Sequence, residues 1–291
     1  MAALSRSSPR RRTDAVIHRR LTVLVAPDSF KGTLTSVDVA SALGDGWRQG
    51  RPGDTVVFAP LADGGEGTLA AIEASGGWEV QTIEAMDPIG RRLDAATWLL
   101  SSDRRHAVLE MAQASGLSLV APEHRDAVHA MTLGTGQLIG AALDAEVRSI
   151  TLGIGGSATS DGGRGMLVGL GAQDWDDLDL ERLDARLADV DFAVACDVTN
   201  PLLGERGAAA VYGPQKGASA EQVRMIERGL EAWADRLEAA SGRYERDTPG
   251  AGAAGGVGFA LLSIQDRFHS FALRPGVDLV MEATGFDEKL A

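Results

Sequence analysis

The sequence predicts an α/β protein: a Rossmann-like parallel-sheet domain joined to a second, mixed α/β domain with antiparallel strands. Three observations lead there. Short apolar runs over residues 21–26 and 55–59 flank a helix-compatible stretch. That is a βαβ unit, whose strands are parallel and whose crossover is right-handed. From about residue 77 to 110, three strand-like runs follow one another with no helix between them. That texture marks antiparallel pairing. The length of 291 residues and 44% hydrophobic content suffice for one large or two ordinary domains with a real core.

The elements follow in chain order. After the strand at 21–26, Thr35 and Asp38 form a capping box that starts a helix running to about residue 48. Pro52-Gly53-Asp54 is a turn into the strand at 55–59. Gly64-Gly-Glu-Gly-Thr68 leads into a helix over 69–74. Strands are expected at 80–83, 95–100 and 107–111, with a turn at Asp87-Pro-Ile-Gly90. A helix over 133–143 opens at Gly134-Thr-Gly136, and an apolar run over 147–152 enters a glycine loop. An apolar helix over 166–172 leaves that loop. Residues 174–191 are acidic and leucine-spaced and read as a solvated helix and linker. A strand at 192–196 contains Cys196, which reads as a buried strand residue rather than a nucleophile. An exposed amphipathic helix is expected over 218–240, a helical run over 257–262 and a strand over 277–281. The division expected is a disordered basic leader over 1–20, a Rossmann-like domain from 21–76 and 257–291, and an inserted domain over 77–256.

Chemistry concentrates in the loop Gly153-Ile-Gly-Gly-Ser-Ala-Thr-Ser-Asp-Gly-Gly163. Gly155, Gly156, Gly162 and Gly163 let backbone N–H groups approach an anion closely. Ser157 and Thr159 add hydroxyls, and Asp161 adds a carboxylate with metal-binding capacity. A following helix N-terminus adds a favourable dipole. This is the chemistry of a phosphate cradle, although no Gly-Lys-Ser/Thr closes it as in a Walker A loop. The 28 Lys+Arg include only three lysines. Two of them, Lys31 and Lys216, sit in the glycine motifs Asp28-Ser-Phe-Lys-Gly32 and Gly213-Pro-Gln-Lys-Gly217. A compact ammonium in a tight loop suits a phosphate or carboxylate oxygen approached end-on; the plain alternative is two surface lysines. Asp28–Lys31 and Asp63–Glu66 each follow a strand of the βαβ unit, where open α/β sheets place ligands. Asp63 and Glu66 can hold Mg²⁺ or accept a hydroxyl proton, or simply serve turn and cap chemistry. Asp197 again lies just past a strand end.

The net charge of −13 argues against nucleic acid as partner. No apolar run is long enough to span a bilayer. A single cysteine excludes an internal disulfide and fits a reducing, cytoplasmic compartment. The five histidines show no metal-ligand spacing, and His124 and His129 read as surface residues. Gly153-x-Gly155-x-x-Ala158 fits a loose dinucleotide fingerprint, which makes a nicotinamide-dependent oxidoreductase the first rival reading. Gly250-Ala-Gly-Ala-Ala-Gly255 fits it literally but follows no strand, so a small-residue helix start is the plainer reading there.

Six segments in order resemble the bacterial type I glycerate kinase family. They are Ala26-Pro-Asp-Ser-Phe-Lys-Gly32, Pro60-Leu-Ala-Asp-Gly-Gly-Glu-Gly-Thr68, the loop 153–163, Ala195-Cys-Asp-Val-Thr-Asn-Pro-Leu-Leu-Gly204, Gly213-Pro-Gln-Lys-Gly217 and Pro249-Gly-Ala-Gly-Ala-Ala-Gly-Gly256. The resemblance implies an ATP- and Mg²⁺-dependent kinase acting on a hydroxyl of D-glycerate. It implies Lys31, Asp63, Asp197 and Lys216 as catalytic, with Glu66 and Asp161 toward the metal. Asp28, Ser29, Gly64, Gly65, Gly155, Gly156, Ser157, Thr159, Gly162, Gly163, Asn200, Gln215, Gly255 and Gly256 would bind substrate or phosphate. Which carboxylate is the base stays open, as does which glycerate hydroxyl is attacked. Expected partners are D-glycerate and ATP, with a homodimer left open. The family usually has Asn where this chain has Ser160, and its pattern continues past Ala291. The chain as given is therefore expected to fold incompletely and turn over poorly, and a non-catalytic remnant is the second rival.

Overall fold

The computed structural model describes residues 19–30, 33–174 and 178–290. Lys31 and most of the expected leader lie outside the described residues. The chain runs β1 (Thr22–Val25), α1 (Ser36–Gly50), β2 (Thr55–Phe58) and α2 (Thr68–Ala74), then β3 (Trp78–Met86), β4 (Arg92–Ser101) and β5 (His106–Glu110). A four-residue α3 (Ala112–Ser115), α4 (Leu133–Asp144), β6 (Ser149–Gly153) and α5 (Arg164–Gly169) follow. Next come the short strands β7 (Gln173–Asp174) and β8 (Leu178–Asp179), then β9 (Asp191–Ala195), α6 (Ala208–Tyr212) and α7 (Ala220–Ser241). The chain closes with α8 (Val257–Ser263), β10 (Ser270–Arg274), α9 (Gly276–Thr284) and α10 (Phe286–Leu290).

The expected βαβ unit is present: β1 and β2 pair in parallel, and α1 connects them. The Thr35–Asp38 capping box closes on the α1 N-terminus, each partner satisfying the other's backbone N–H. A six-stranded sheet in the order β10-β9-β6-β5-β4-β3 forms the rest of the frame. Its β3, β4 and β5 are antiparallel, as their helix-free succession predicts. From β5 onward, through β6, β9 and β10, the pairing is parallel.

Side-chain alternation along the strands splits the core in two. Trp98, Leu100, Leu109, Leu152 and Val194 face the larger core under α4, α5, α7 and α8. Leu99 and Val108 face the other way, onto Leu69 and Ile72 of α2 and Val280 of α9.

Three expectations are corrected. The described residues of 174–191 form no α-helix; they carry the end of β7, β8 and a 3-10 turn over Ala185–Asp189. Their spaced leucines, Leu180, Leu183 and Leu187, are buried into the main core from a loop rather than solvated. Residues 277–281 are helical, not extended. Pro275 precedes the helix, Gly285 caps it in the left-handed region, and Leu279, Val280 and Thr284 bury one helical face. The strand in this region is β10, whose residues are only half-buried and therefore gave a weak apolar signal. Residues 257–291, expected beside 21–76, divide: β10 joins the large sheet, while α9 packs on α2.

Candidate active site

Every parallel strand ends at the same edge of the molecule. The segment after β1 supplies Asp28 and Ser29, and the segment after β2 supplies Asp63 to Gly67. The segment after β6 supplies Gly155 to Ser157, and that after β9 supplies Cys196 and Asp197. These segments line two adjoining hollows. One, of about 680 Å³, runs from Asp28 and Ser29 past Asp63, Gly65 and Glu66 to Gly155 and Gly156. The other, of about 190 Å³, shares Asp63, Gly65, Gly155 and Gly156 and continues to Ser157, Asp197, Tyr212 and Gln215. Together they form one cleft with Asp63 at its waist, where open α/β sheets hold their ligands.

The two glycine loops meet backbone to backbone. A Cβ on Gly155 would stand 2.5 Å from Gly65 Cα, and one on Gly153 would collide with the Gly64 carbonyl. The Gly155 N–H donates to the Gly64 oxygen at 3.4 Å. The glycines at this contact are therefore required by close approach as well as by access to an anion. Gly276, the first residue of α9, seats against Asp63 in the same way, and its N–H donates to Asp197 Oδ1 at 3.0 Å. Asp63 Oδ1 accepts from the Gly65 N–H at 3.1 Å, which fixes the carboxylate over its own loop.

Below Glu66 lies a residue that the sequence did not single out. Glu110, the last residue of β5, is buried, and its Oε1 accepts the Leu69 N–H of α2 at 2.7 Å. Gln113 donates to its other oxygen at 3.3 Å. Burial pushes the Glu110 carboxyl above the usual range. It holds the first turn of α2, and thereby the loop that carries Asp63 and Glu66. A carboxylate ending an apolar strand run is the only sign of it in the sequence.

Several expected site residues are not in the lining of the cleft. Lys216, expected to meet a phosphate, is 1% exposed. Its ammonium donates to the Thr159 carbonyl, and burial depresses its pKa to about 7. The physical reason is the turn Pro214–Lys216, which leaves Gln215 exposed on the cleft and turns Lys216 inward behind the glycine loop. Asp161, expected toward a metal, caps α5 instead. Its carboxylate accepts from the Thr132 N–H (2.9 Å) and hydroxyl (2.8 Å), the Gly165 N–H (3.0 Å) and the Gly163 N–H (3.2 Å). Gly162 and Gly163 carry positive φ and pack on Trp233 and α8; Gly255 and Gly256 pack on Thr159 and Gly162. Thr159 is fully buried. Asn200 braces its own loop, donating to the Arg206 carbonyl and accepting from the Tyr212 hydroxyl, each at 2.7 Å. Cys196 sits one residue past β9 rather than within it. It is half-buried on the cleft wall, and burial raises its thiol pKa, which disfavours the thiolate.

The dinucleotide reading fails on geometry. After β6 the chain runs ten residues of loop before α5 begins at Arg164, so no helix starts at the Gly153–Ala158 match.

The glycerate kinase family model matches residues 23–291 of the chain. The chain belongs to the glycerate kinase family. It is 42% identical to the glycerate kinase of Halalkalibacterium halodurans, over 92% of this chain and 73% of that protein. It is 40% identical to the glycerate 2-kinase of Escherichia coli K12, over 92% of this chain and 74% of that one. A crystal structure from Salmonella typhimurium LT2, assigned as glycerate kinase 2, superposes with a TM-score of 0.84 at 39% identity. That match covers 94% of this chain and 76% of the other. The expected resemblance and the mixed α/β fold of a glycerate kinase both hold for this chain.

Proposed function

We propose that the protein transfers the γ-phosphoryl group of ATP to a hydroxyl of D-glycerate, giving phosphoglycerate and ADP. One observation carries the reading beyond family membership: the two glycine loops and Asp63 converge on one cleft at the strand ends. Phosphoryl transfer asks a protein mainly for positioning and charge stabilisation, with one group to orient and deprotonate the attacking hydroxyl.

Asp63 is the base in this reading, because it borders both hollows and is held in place by its own loop. The hydroxyl oxygen bonds to the γ-phosphorus as the bond from that phosphorus to the β–γ bridging oxygen breaks. The hydroxyl proton passes to the Asp63 carboxylate, and ADP leaves. Gly156 and Ser157 offer backbone and hydroxyl donors to the phosphates, with Gly155 leaving room for their approach. Asp197 and Gln215, in the smaller hollow, orient the glycerate; Asp28 and Ser29 close the larger one. Lys31 supplies a cation from the neighbouring segment.

Mg²⁺ fits the donor chemistry. The larger hollow is lined by the carboxylates of Asp28, Asp38, Asp63 and Glu66, and hard oxygen donors suit the ion. Among the described residues no three metal-ligating side chains cluster. Glu66 would be the first of these carboxylates to meet an ion that arrives with the nucleotide. When bound it neutralises phosphate charge. Among the described residues no helix is long and apolar enough to cross a membrane. We read the compartment as cytoplasmic from the single cysteine.

A coupled ADP-release assay tests the reading. ADP formation is expected to require D-glycerate, ATP and Mg²⁺ together. Turnover of another hydroxy acid with none of D-glycerate would overturn the substrate assignment.

A further inference from the structure

A second cavity, of about 620 Å³, lies on the far side of the glycine loop, between that loop, residues 128–131 and α7. Trp233, itself 5% exposed, borders it, and its indole N–H donates to the Gly162 carbonyl at 3.0 Å. Arg164 and Arg236 each stand 5.9 Å from that ring and both pair with Asp174, which leaves the trio one positive charge in excess. Met131 and Met225 line the same cavity and are 46% and 47% exposed. Ser160 lines it too; the residue is 6% exposed, and its hydroxyl has no hydrogen-bond partner.

Gly229 stands on the α7 wall of this cavity, in the interior of a 22-residue helix. A Cβ there would meet nothing within 4 Å. Helix-interior glycine is less stable than alanine, and no packing or backbone geometry requires it here. What glycine provides at this point is a flat, unobstructed wall.

The larger hollow of the cleft is lined mostly by carboxylates, hydroxyls and glycines, with Leu34, Leu61 and Ala62 as its apolar side chains, and Tyr212 lines the smaller hollow of about 190 Å³. The two cavities share the glycine loop as a wall: Gly156 borders the cleft and Ser160 borders the second cavity. These two residues are four positions apart in the chain, so their Cα atoms are at most about 14 Å apart. That is within the reach of one nucleotide.

We propose that this second cavity receives the purine ring of the nucleotide. The ring lies against the bare Gly229 wall over Trp233, between the two adaptable methionines, with Arg164 and the Ser160 hydroxyl at its polar edge. The triphosphate then passes along the glycine loop to the cleft. This rests on the kinase reading above and adds to it the place of the base.

Gly229→Leu tests it, because leucine strengthens the helix while filling the cavity. The KM for ATP is expected to rise at least tenfold, with the KM for D-glycerate within twofold of the unchanged protein. Photolabelling the unchanged protein with 8-azido-ATP is expected to mark peptides within 128–131 or 225–233, and excess ATP should suppress the label. An unaltered KM for ATP in Gly229→Leu, or label confined to residues 28–38, overturns the base site while leaving the kinase reading intact. Absence of any ATP turnover by the unchanged protein removes both.

Discussion

Asp63→Asn is expected to lower kcat for D-glycerate by about 10²- to 10⁴-fold, the range that a positioned general base contributes. Thermal stability should stay within a few degrees of the unchanged protein. Asn keeps an oxygen that can accept the Gly65 N–H now held at 3.1 Å, so the loop keeps its shape. What is lost is the capacity to take the hydroxyl proton. The acid limb of the kcat/KM profile should disappear with it, since that limb reports the free base. A variant with near-normal kcat and an unchanged pH profile would move the base elsewhere, and Asp197 is then the residue to replace.

The next largest effect is expected at a residue that does not touch the cleft. Lys216 is enclosed behind the glycine loop, and its ammonium holds the Thr159 carbonyl. A Cβ on Gly255 would stand 2.9 Å from that nitrogen, so the slot has no room to spare. We read Lys216 as a positioning residue that sets the course of residues 155–160. Lys216→Met should therefore lower kcat about 10²-fold while the KM values move little. Lys216→Arg should not restore it, because a guanidinium is wider and always charged.

Stability should respond in the opposite sense to activity. Burial holds the Lys216 pKa at about 7, against 10.5 for an ordinary lysine. Between those values the unfolded chain binds more protons, so the stability of the unchanged protein rises with pH across that window. Below about pH 7 both states are protonated, and the desolvation penalty is fully present. Lys216→Met removes the penalty. Its melting temperature should match or exceed that of the unchanged protein at pH 7 and rise less toward pH 9. A Lys216→Met variant that melts far lower at every pH, or that keeps full kcat, would contradict the positioning role.

The sequence made the frame and the cleft legible for definite reasons. The Thr35–Asp38 box and the buried runs at 22–25 and 55–58 are local signals, and each formed where its chemistry placed it. Asp28, Asp63, Gly155 and Asp197 reach one cleft because each follows a parallel strand, which is a topological consequence. Side-chain direction was not legible. Gln215 and Lys216 are neighbours, yet one lines the cleft and the other is fully enclosed. Asp161 has the composition of a metal ligand, and four hydrogen bonds make it a helix cap. Glu110 escaped because its partner N–H belongs to Leu69, 41 residues away. Residues 277–281 misled because a short apolar run has no period of its own; Pro275 and Gly285 decided for a helix.

In the proposed reaction the hydroxyl and the γ-phosphate meet at Asp63, in the waist of the cleft between the two glycine loops. A crystal structure of the protein with a non-hydrolysable ATP analogue, Mg²⁺ and D-glycerate tests it most directly. The γ-phosphate is expected against Gly155–Ser157, with a glycerate hydroxyl within hydrogen-bond reach of the Asp63 carboxylate. Triphosphate density away from both glycine loops, or a glycerate bound beyond reach of Asp63, would contradict it.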